Sequence, residues 1–246
     1  MQCEYMTISV TLVDLHGSLA DEARKQRWSG PDFLTQVLEY TDVREVALDD
    51  ESLKRVTAYV SPANSLGFMD GGIDYTLSRV MFPGVEGRVK AAIAALNLPT
   101  LLGRPHLPIG RAVVVPAIDP TLESPTAGRA RLVLVAAPTM WLPQDVRGTH
   151  NAYSAMHAAL TAARAAGVDR LIVPGLCTGC GMMTAAEAIS QMKLAHRDFL
   201  DGVPARYDAA SIVDEQPPFY QNTEFKHIDP LKVQHVSGLA MMFPDE

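Results

Sequence analysis

The stretch SPANSLGFMDGGID, residues 61–74, follows a short run rich in β-branched residues (56–60) and leads into a helical pattern. A second stretch of the same kind, PGLCTGCG at residues 174–181, follows the apolar run 171–173 and also precedes a helical pattern. Glycines at the carboxyl end of a strand let backbone N–H groups approach a phosphate, because no Cβ stands in the way. The two stretches therefore predict the two walls of one nucleotide pocket, which would hold a diphosphate and a second polar group.

Strands and helices alternate through most of the chain, and this pattern predicts a largely parallel sheet covered by helices on both faces. Ligands of such sheets bind beyond the carboxyl ends of the strands, where both glycine stretches are expected to lie. The best-marked helix starts at Thr184, which forms a predicted capping box with Glu187. The predicted strands are residues 6–14, 43–48, 57–60, 112–115, 131–136 and 169–173, and the predicted helices are residues 19–27, 31–40, 75–80, 85–96, 149–166 and 184–200.

Composition and charge narrow the class of protein. The chain has 246 residues, 48% of them hydrophobic, and a formal net charge of −7, which would repel nucleic acid rather than attract it. No apolar run reaches the length of about 18 residues that a membrane span needs, and residues 1–5 lack the basic and apolar parts of a signal peptide. Three cysteines do not make a disulfide framework. We therefore expect a cytoplasmic protein without membrane contact and without a nucleic-acid groove.

The pattern also predicts how the chain is divided. Residues 1–202 are expected to form one domain, in which residues 6–40 add a strand and helices at the N-terminus. From Gly202 the pattern degrades: residues 214–218 form a predicted turn or linker, and residues 219–246 mix aromatic, His and Pro residues without a period, so residues 203–246 are expected to be an irregular extension. We expect this irregular extension to pack on the domain or on a second subunit, so a homo-oligomer is left open.

Three motifs in this order resemble those of macrodomains, the ADP-ribose-binding α/β/α modules. VSPANS (60–65) followed by GGID (71–74) resembles their first binding loop, which commonly reads Asn-Ala-Ala-Asn-Ser before a glycine run and Val-Asp or Ile-Asp. LPIGRA (107–112) is similar to their Pro-x-Gly stretch, and residues 171–181 are similar to their second, phosphate-cradling loop. The resemblance covers residues 43–200 and implies a three-layer α/β/α fold with a mixed, largely parallel central sheet.

The resemblance also implies roles for particular residues. Asn64 aligns with the asparagine that hydrogen-bonds the distal ribose, and Asp74 aligns with an aspartate that orients or activates water in hydrolytic members. Gly71 and Gly72 would let the backbone close on the ribose and phosphate. The implied ligand is ADP-ribose, free or attached to a macromolecule, without a metal or another cofactor. The remaining implied contacts are Ser65, Ile73, Gly175, Cys177, Thr178, Gly179, Cys180, Gly181 and Met182.

The sequence departs from the family pattern at three points. Ser61 stands where the first family asparagine is expected, and Met182 stands, with Met183 after it, where many members place an aromatic residue over the distal ribose. Many macrodomains recognise adenine with an acidic residue in a Gly-Asp-Ile-like stretch. Asp49 and Asp14 are the candidates for that contact here.

Each of these residues also has a structural interpretation that stays open at this point. Asn64 would bridge turn backbone, and Asp74 would cap the helix predicted at Tyr75. Cys177 and Cys180 form a CxxC spacing, which in other contexts is typical of redox or zinc sites. For the whole chain, the hypotheses are an ADP-ribosyl hydrolase, a non-catalytic ADP-ribose reader or sensor, and a nicotinamide- or thiol-dependent oxidoreductase.

Overall fold

A six-stranded sheet forms the centre of the protein, in a computed structural model that describes residues 7–30, 32–33, 35–46, 55–98, 100–101, 103–119 and 131–207. The spatial order of its strands is β2-β1-β8-β3-β7-β6. Neighbouring strands are parallel except at one edge, where β6 runs antiparallel to β7. The strands are β1 (Ser9–Asp14), β2 (Thr35–Glu39), β3 (Val56–Ser61), β6 (Val113–Pro116), β7 (Arg131–Ala136) and β8 (Arg170–Val173), and a separate hairpin joins β4 (Thr100–Leu101) to β5 (Arg104–Pro105).

Helices cover both faces of the sheet, as the three-layer α/β/α prediction requires. Alternate strand residues enter opposite cores: Leu171 and Val173 of β8 pack on one side, and Ile172 packs on the other. The first core contains buried residues of α1, α4 and α5, and the second contains those of α3 and of the segment after α2. The helices are α1 (Ser18–Lys25), α2 (Gly72–Tyr75), α3 (Val85–Ala95), α4 (Asn151–Ala165) and α5 (Ala185–Leu200), and α2 continues as a π-helical turn, Thr76–Met81.

The prediction of a helix over residues 31–40 was wrong. β2 pairs in parallel with β1 over the register Val10↔Thr35 to Asp14↔Glu39. Its side chains alternate, so that Val37 packs against the first core and Leu38 against the second. Apolar residues at positions 33, 34, 37 and 38 fit a helical period, but pairing with the neighbouring strand decided the conformation.

The prediction of a strand over residues 43–48 was wrong for the residues described there. Val43–Glu45 form a 3₁₀ turn, because Asp42 accepts the backbone N–H of Arg44 at 2.9 Å and caps it. Residues 47–54 lie outside the described residues. They include Asp49, one of the two candidates for the adenine contact.

The start of α5 shows one half of the predicted capping box. Thr184 is the N-cap, and its hydroxyl accepts the N–H of Glu187 at 3.2 Å. The carboxylate of Glu187 instead accepts the N–H of Gly148 at 2.8 Å. The glutamate therefore ties the loop before α4 to the start of α5, rather than closing the box on its own helix.

The chain after α5 packs back onto α4 and α5 as far as it is described. Arg206 forms a bidentate ion pair with Asp198 of α5, and the Asp198 carboxylate also accepts the hydroxyl of Tyr153 at 2.8 Å. The ring of Tyr207 stacks on His150 with centroids 3.9 Å apart. Of the predicted extension 203–246, residues 208–246 lie outside the described residues. None of the helices in the described ranges is long and apolar enough to cross a membrane.

Candidate functional site

One cavity lies beyond the carboxyl ends of the parallel strands. Its volume is about 620 Å³, within the range of small-molecule sites. Loops that follow β1, β2, β3, β7 and β8 form its walls, so both glycine stretches converge on it. Of the predicted contacts, those that line the cavity are Asn64, Gly71, Gly72, Ile73, Asp74, Gly175, Cys177, Thr178, Gly179, Cys180 and Gly181.

Two predicted contacts lie elsewhere. Ser65 is fully buried behind the first loop, where its N–H and its hydroxyl both donate to the carbonyl of Met140, at 2.9 and 3.3 Å. Met182 is 56% exposed and stands outside the lining of the cavity. Ser65 therefore holds the first loop against the segment after β7, and Met182 points its apolar side chain to solvent.

The side chain of Asn64 has an orientation that its neighbours determine. Its Oδ1 accepts the backbone N–H groups of Leu66 at 3.0 Å and Phe68 at 3.4 Å. Because both partners are donors, the atom that faces them must be the amide oxygen. The Nδ2 group donates to no acceptor within the described residues. Bridging of the turn and a ligand role are thus compatible, and the side chain offers donors to the cavity.

The start of α2 brings further donors to the same wall. Gly72 adopts a φ of +53°, a left-handed conformation that favours glycine, and a Cβ added there would meet no atom within 4 Å. The N–H groups of Gly71, Gly72 and Ile73 have no acceptor in the part of the chain that the structure describes. This wall can therefore surround a hydroxyl or phosphate oxygen with backbone donors.

Asp74 is a half-buried carboxyl inside the first turn of α2. Gly71 is the N-cap of that helix, so the alternative interpretation of Asp74 as a helix cap was wrong. The hydroxyl of Ser61, at the end of β3, donates to Oδ1 of Asp74 at 2.6 Å. Burial raises the pKa of Asp74 to about 7, with added repulsion from Asp70 and Glu86, and the Ser61 hydrogen bond opposes this rise. A carboxyl of this pKa exchanges protons near neutral pH, as a general base must.

Asp70 is a residue of this wall that sequence reasoning missed. It lines the cavity, and its Oδ2 is buried without a hydrogen-bond partner among the described residues. Burial raises the pKa of its carboxyl, and the nearby charge of Glu86 adds to the effect. The sequence feature that could have identified it is an acidic residue directly before the Gly71-Gly72 pair in the first loop.

Three carbonyl groups of the second loop accept backbone hydrogen bonds from other residues. The carbonyls of Cys177, Gly179 and Gly181 accept the N–H groups of Met183, Met182 and Val146, at 3.0, 2.9 and 3.0 Å. By contrast, the N–H groups of Cys177, Gly179, Cys180 and Gly181 find no acceptor within the described ranges. A row of uncommitted N–H groups on a cavity wall is a binding surface for an anion.

Two glycines of the second loop lie close to neighbouring atoms, and at Gly181 the neighbour is backbone, which cannot easily move. A Cβ at Gly181 would lie 2.5 Å from the carbonyl oxygen of Cys177, and one at Gly175 would lie 2.4 Å from Cδ1 of Leu19. Gly179 differs, because a Cβ there would meet nothing within 4 Å. The loop is thus closely packed at its two ends and open in the middle.

Cys177 is buried against the segment that follows β7. Its Sγ lies 4.0 Å from the carbonyl oxygen of Thr139, and burial raises the pKa of the thiol. A reactive thiol needs a lowered pKa, so the environment of Cys177 disfavours redox catalysis. The hydroxyl of Thr139 also donates to the carbonyl of Pro62 at 3.2 Å, so this one residue contacts both glycine loops. Among the described residues, no group of three or more His, Cys, Asp and Glu side chains is placed to hold a metal ion.

The far end of the cavity lies between the loops after β1 and β2. Asp14 lines it, but its carboxylate already accepts the N–H groups of His16, Leu19 and Ala20. Thr41, Asp42 and Val43 also line this end. Sequence reasoning missed these three residues, because residues 31–40 before them were interpreted as a helix rather than as the strand β2. The Asp42 carboxylate pairs with the exposed guanidinium of Arg44 at 2.8 Å, a surface interaction that a ligand can replace.

Comparison with known proteins gives distant likenesses. No family model matches the chain. An uncharacterised protein of Aeropyrum pernix is 29% identical over 153 residues, which cover 62% of this chain and 70% of that protein. The Oceanobacillus iheyensis macrodomain with MES bound matches 64% of this chain and 76% of its own, at 15% identity and a TM-score of 0.46.

Two further solved structures resemble this chain to a similar extent. The macrodomain of Mycobacterium tuberculosis DarG matches 59% of this chain and 84% of its own, at 18% identity and a TM-score of 0.42. A mutant of the Oceanobacillus iheyensis macrodomain with ADPR matches 68% and 88%, at 12% identity and a TM-score of 0.46. At identities and TM-scores this low, we take the function from the geometry of the cavity in this chain.

Proposed function

We propose that this cavity binds ADP-ribose and that the protein hydrolyses ADP-ribosyl linkages at the distal ribose. The observation that carries the proposal is the convergence of two loops with uncommitted N–H groups on one cavity of about 620 Å³. A diphosphate matches such donors, because backbone N–H groups supply hydrogen bonds without any side-chain cation. The resemblance of both loops to those of macrodomains agrees with this ligand.

The hydrogen-bond donors of the walls orient the ligand. The diphosphate binds along the second loop, from Cys177 to Gly181, where it accepts hydrogen bonds from the uncommitted N–H groups. The distal ribose then lies between Asn64 and Asp74, with the amide N–H groups of Asn64 donating to its hydroxyls. The nucleobase occupies the opposite end, between the loop after β1 and Thr41–Val43.

The proposed reaction needs one proton acceptor near the anomeric carbon. Water attacks that carbon, a carbon–oxygen bond forms to the water oxygen, and the bond from the anomeric carbon to the acceptor group breaks. The attacking water gives its proton to Asp74, and the leaving group takes a proton from solvent. The phosphate of the substrate helps to position the water, and the proposal includes no metal or other cofactor.

Calorimetry with ADP-ribose tests the binding half. We expect saturable heat with ADP-ribose, weaker binding of ADP, which lacks the distal ribose, and a further loss for both in variants of the second loop. An Asn64→Asp variant should lose the advantage of ADP-ribose over ADP. Absence of saturation at millimolar ADP-ribose would remove the proposed ligand.

Incubation with ADP-ribosylated peptides and nucleic acids tests the catalytic half. Mass spectrometry should show loss of the ADP-ribosyl mass from at least one acceptor class and release of free ADP-ribose. The Asp74→Asn protein should bind ADP-ribose but release little product. Tight binding with every acceptor left intact would identify a non-catalytic reader instead.

A further inference from the structure

The side chains of Ser61 and Asp74 form a hydrogen bond, and the N–H of Ala63 indicates which of the two groups donates it. Ser61 is fully buried at the end of β3, and its Oγ accepts the backbone N–H of Ala63 at 3.3 Å. The same Oγ lies 2.6 Å from Oδ1 of Asp74. Because the N–H of Ala63 can only donate, the serine hydroxyl hydrogen is free to point at the carboxylate.

This contact fixes one end of the Asp74 carboxyl group. Its Cα is held by α2, and its Oδ1 is held by Ser61. Its Oδ2 has no hydrogen-bond partner among the residues that the structure describes, and Asp74 lines the cavity. One oxygen is therefore anchored to the sheet, and the other remains for a water or a sugar hydroxyl.

We propose that Ser61 is a positioning residue, which acts through Asp74 by anchoring Oδ1 so that Oδ2 is presented to the attacking water. This inference rests on the proposed hydrolysis for its catalytic consequence, while the anchoring itself can be measured without turnover. Ser61 replaces an asparagine expected from the family resemblance, so the anchor is a property of this chain.

The groups around Asp74 determine in which direction its pKa should change when the Ser61 hydroxyl is removed. Burial raises the pKa of Asp74 most, and the hydrogen bond from Ser61 opposes the rise because it stabilises the charged form. Asp70 of the first loop and Glu86 of α3 are acidic and add to the rise. Removal of the hydroxyl should thus move the pKa of Asp74 further upward, so that less of the base is ionised at neutral pH.

The variants are Ser61→Ala, Ser61→Thr and Ser78→Ala. Threonine keeps the hydroxyl. Ser78 is a matched control, because it is a buried serine whose hydroxyl donates to the carbonyl of Met69 at 2.7 Å rather than to Asp74. The first readout is the titration of the Asp74 carboxyl carbon by NMR, assigned with Asp74→Asn. The second is the pH profile of turnover, with kcat and KM determined separately.

We expect Ser61→Ala to raise the titration midpoint of Asp74, to lower kcat about tenfold at neutral pH with KM little changed, and to move the alkaline plateau of kcat to higher pH. Ser61→Thr should restore both readouts towards those of the unmodified protein, and Ser78→Ala should leave the midpoint in place. An Asp74 midpoint that is the same in Ser61→Ala, or that Ser78→Ala raises equally, would overturn the inference. If the unmodified protein hydrolyses nothing, the proposed function fails, and the NMR titration alone decides on the anchor.

Discussion

Oδ2 of Asp14 accepts the backbone N–H of Leu19 at 2.8 Å, across the turn that joins β1 to α1. The same carboxylate accepts the N–H groups of Ala20 and His16, both at 3.0 Å. Gly17, the N-cap of α1, has no side chain to perform this task. Asp14 therefore accepts the free N–H groups of the first turn of α1 from outside the helix. It also lines the far end of the cavity, where the nucleobase is proposed to bind.

Replacement of Asp14 by Ala should reduce stability more than ligand binding. We expect a loss of about 1–2 kcal/mol, comparable with the removal of a helix cap. Urea unfolding measures it. Asp21→Ala is the matched control, because Asp21 lies in the first turn of the same helix but is exposed and forms an ion pair with Arg24. Its removal should cost less than about 0.5 kcal/mol. Unchanged stability with a large loss of ADP-ribose affinity would instead indicate that Asp14 contacts the nucleobase.

Asn64→Asp should separate the two functions of that side chain. The aspartate retains an oxygen for the N–H groups of Leu66 and Phe68, so the loop should keep its conformation. The cavity side would exchange an amide donor for a carboxylate oxygen near a dianionic ligand. We expect ADP-ribose affinity to fall by more than about tenfold in calorimetry. Thermal stability within a few degrees of the unmodified protein would show that the loop is intact, and undiminished affinity would contradict the donor role.

Gly179→Ala and Gly181→Ala form a matched pair in the second loop. A Cβ at Gly179 meets no protein atom within 4 Å, so the fold should accept it while the methyl group enters the space beside the proposed diphosphate. We expect normal stability and an affinity for ADP-ribose about tenfold lower. Gly181→Ala should lower the melting temperature, because its Cβ would lie 2.5 Å from a backbone oxygen. Equal effects of the two changes on stability would contradict this account of the loop.

His196 should make the protein less stable in acid. Its ring is fully buried, and its Nδ1 accepts the indole N–H of Trp28 at 3.2 Å, while burial lowers its pKa to about 4, with help from Arg197. The unfolded chain therefore takes up the proton first. The contribution of the neutral His196 ring to the free energy of unfolding is complete above pH 6.5 and is lost as the pH falls towards 4. The loss amounts to about 3 kcal/mol.

Guanidinium unfolding at several pH values, compared between the unmodified protein and His196→Gln, measures this effect. The difference in stability between the two proteins is the quantity to compare. Asp74 has a raised pKa, so its contribution to stability increases as the pH falls below 7. Because both proteins contain Asp74, this contribution cancels in the difference. We expect the advantage of the unmodified protein to shrink between pH 6.5 and 4. A difference that does not depend on pH would show that His196 is not buried in its neutral form.

Local signals in the chain predicted much of the molecule. Glycine spacing placed both loops after strands and before helices, and residues 131–136 form a strand with the predicted bounds. The layer arrangement also followed, because alternating strands and helices have few ways to bury both faces of a sheet. The helical interpretation of residues 31–40 failed because a short apolar run fits either period, and only the neighbouring β1 selects the extended one.

The sequence by itself determined the α/β class and the two glycine loops, since each depends on residues that are close in the chain. Asn64 and Asp74 became candidates through the resemblance of the first loop to that of macrodomains. Only the tertiary structure decided that β8 lies between β1 and β3, that Ser61 donates to Asp74 and that Asp70 and Thr41–Val43 share one cavity with the second loop. The bond from the N–H of Ser9 to the carbonyl of Asp169, at 2.9 Å, shows the reason. Contacts between distant segments depend on which strand finds which neighbour, and no local propensity carries that information.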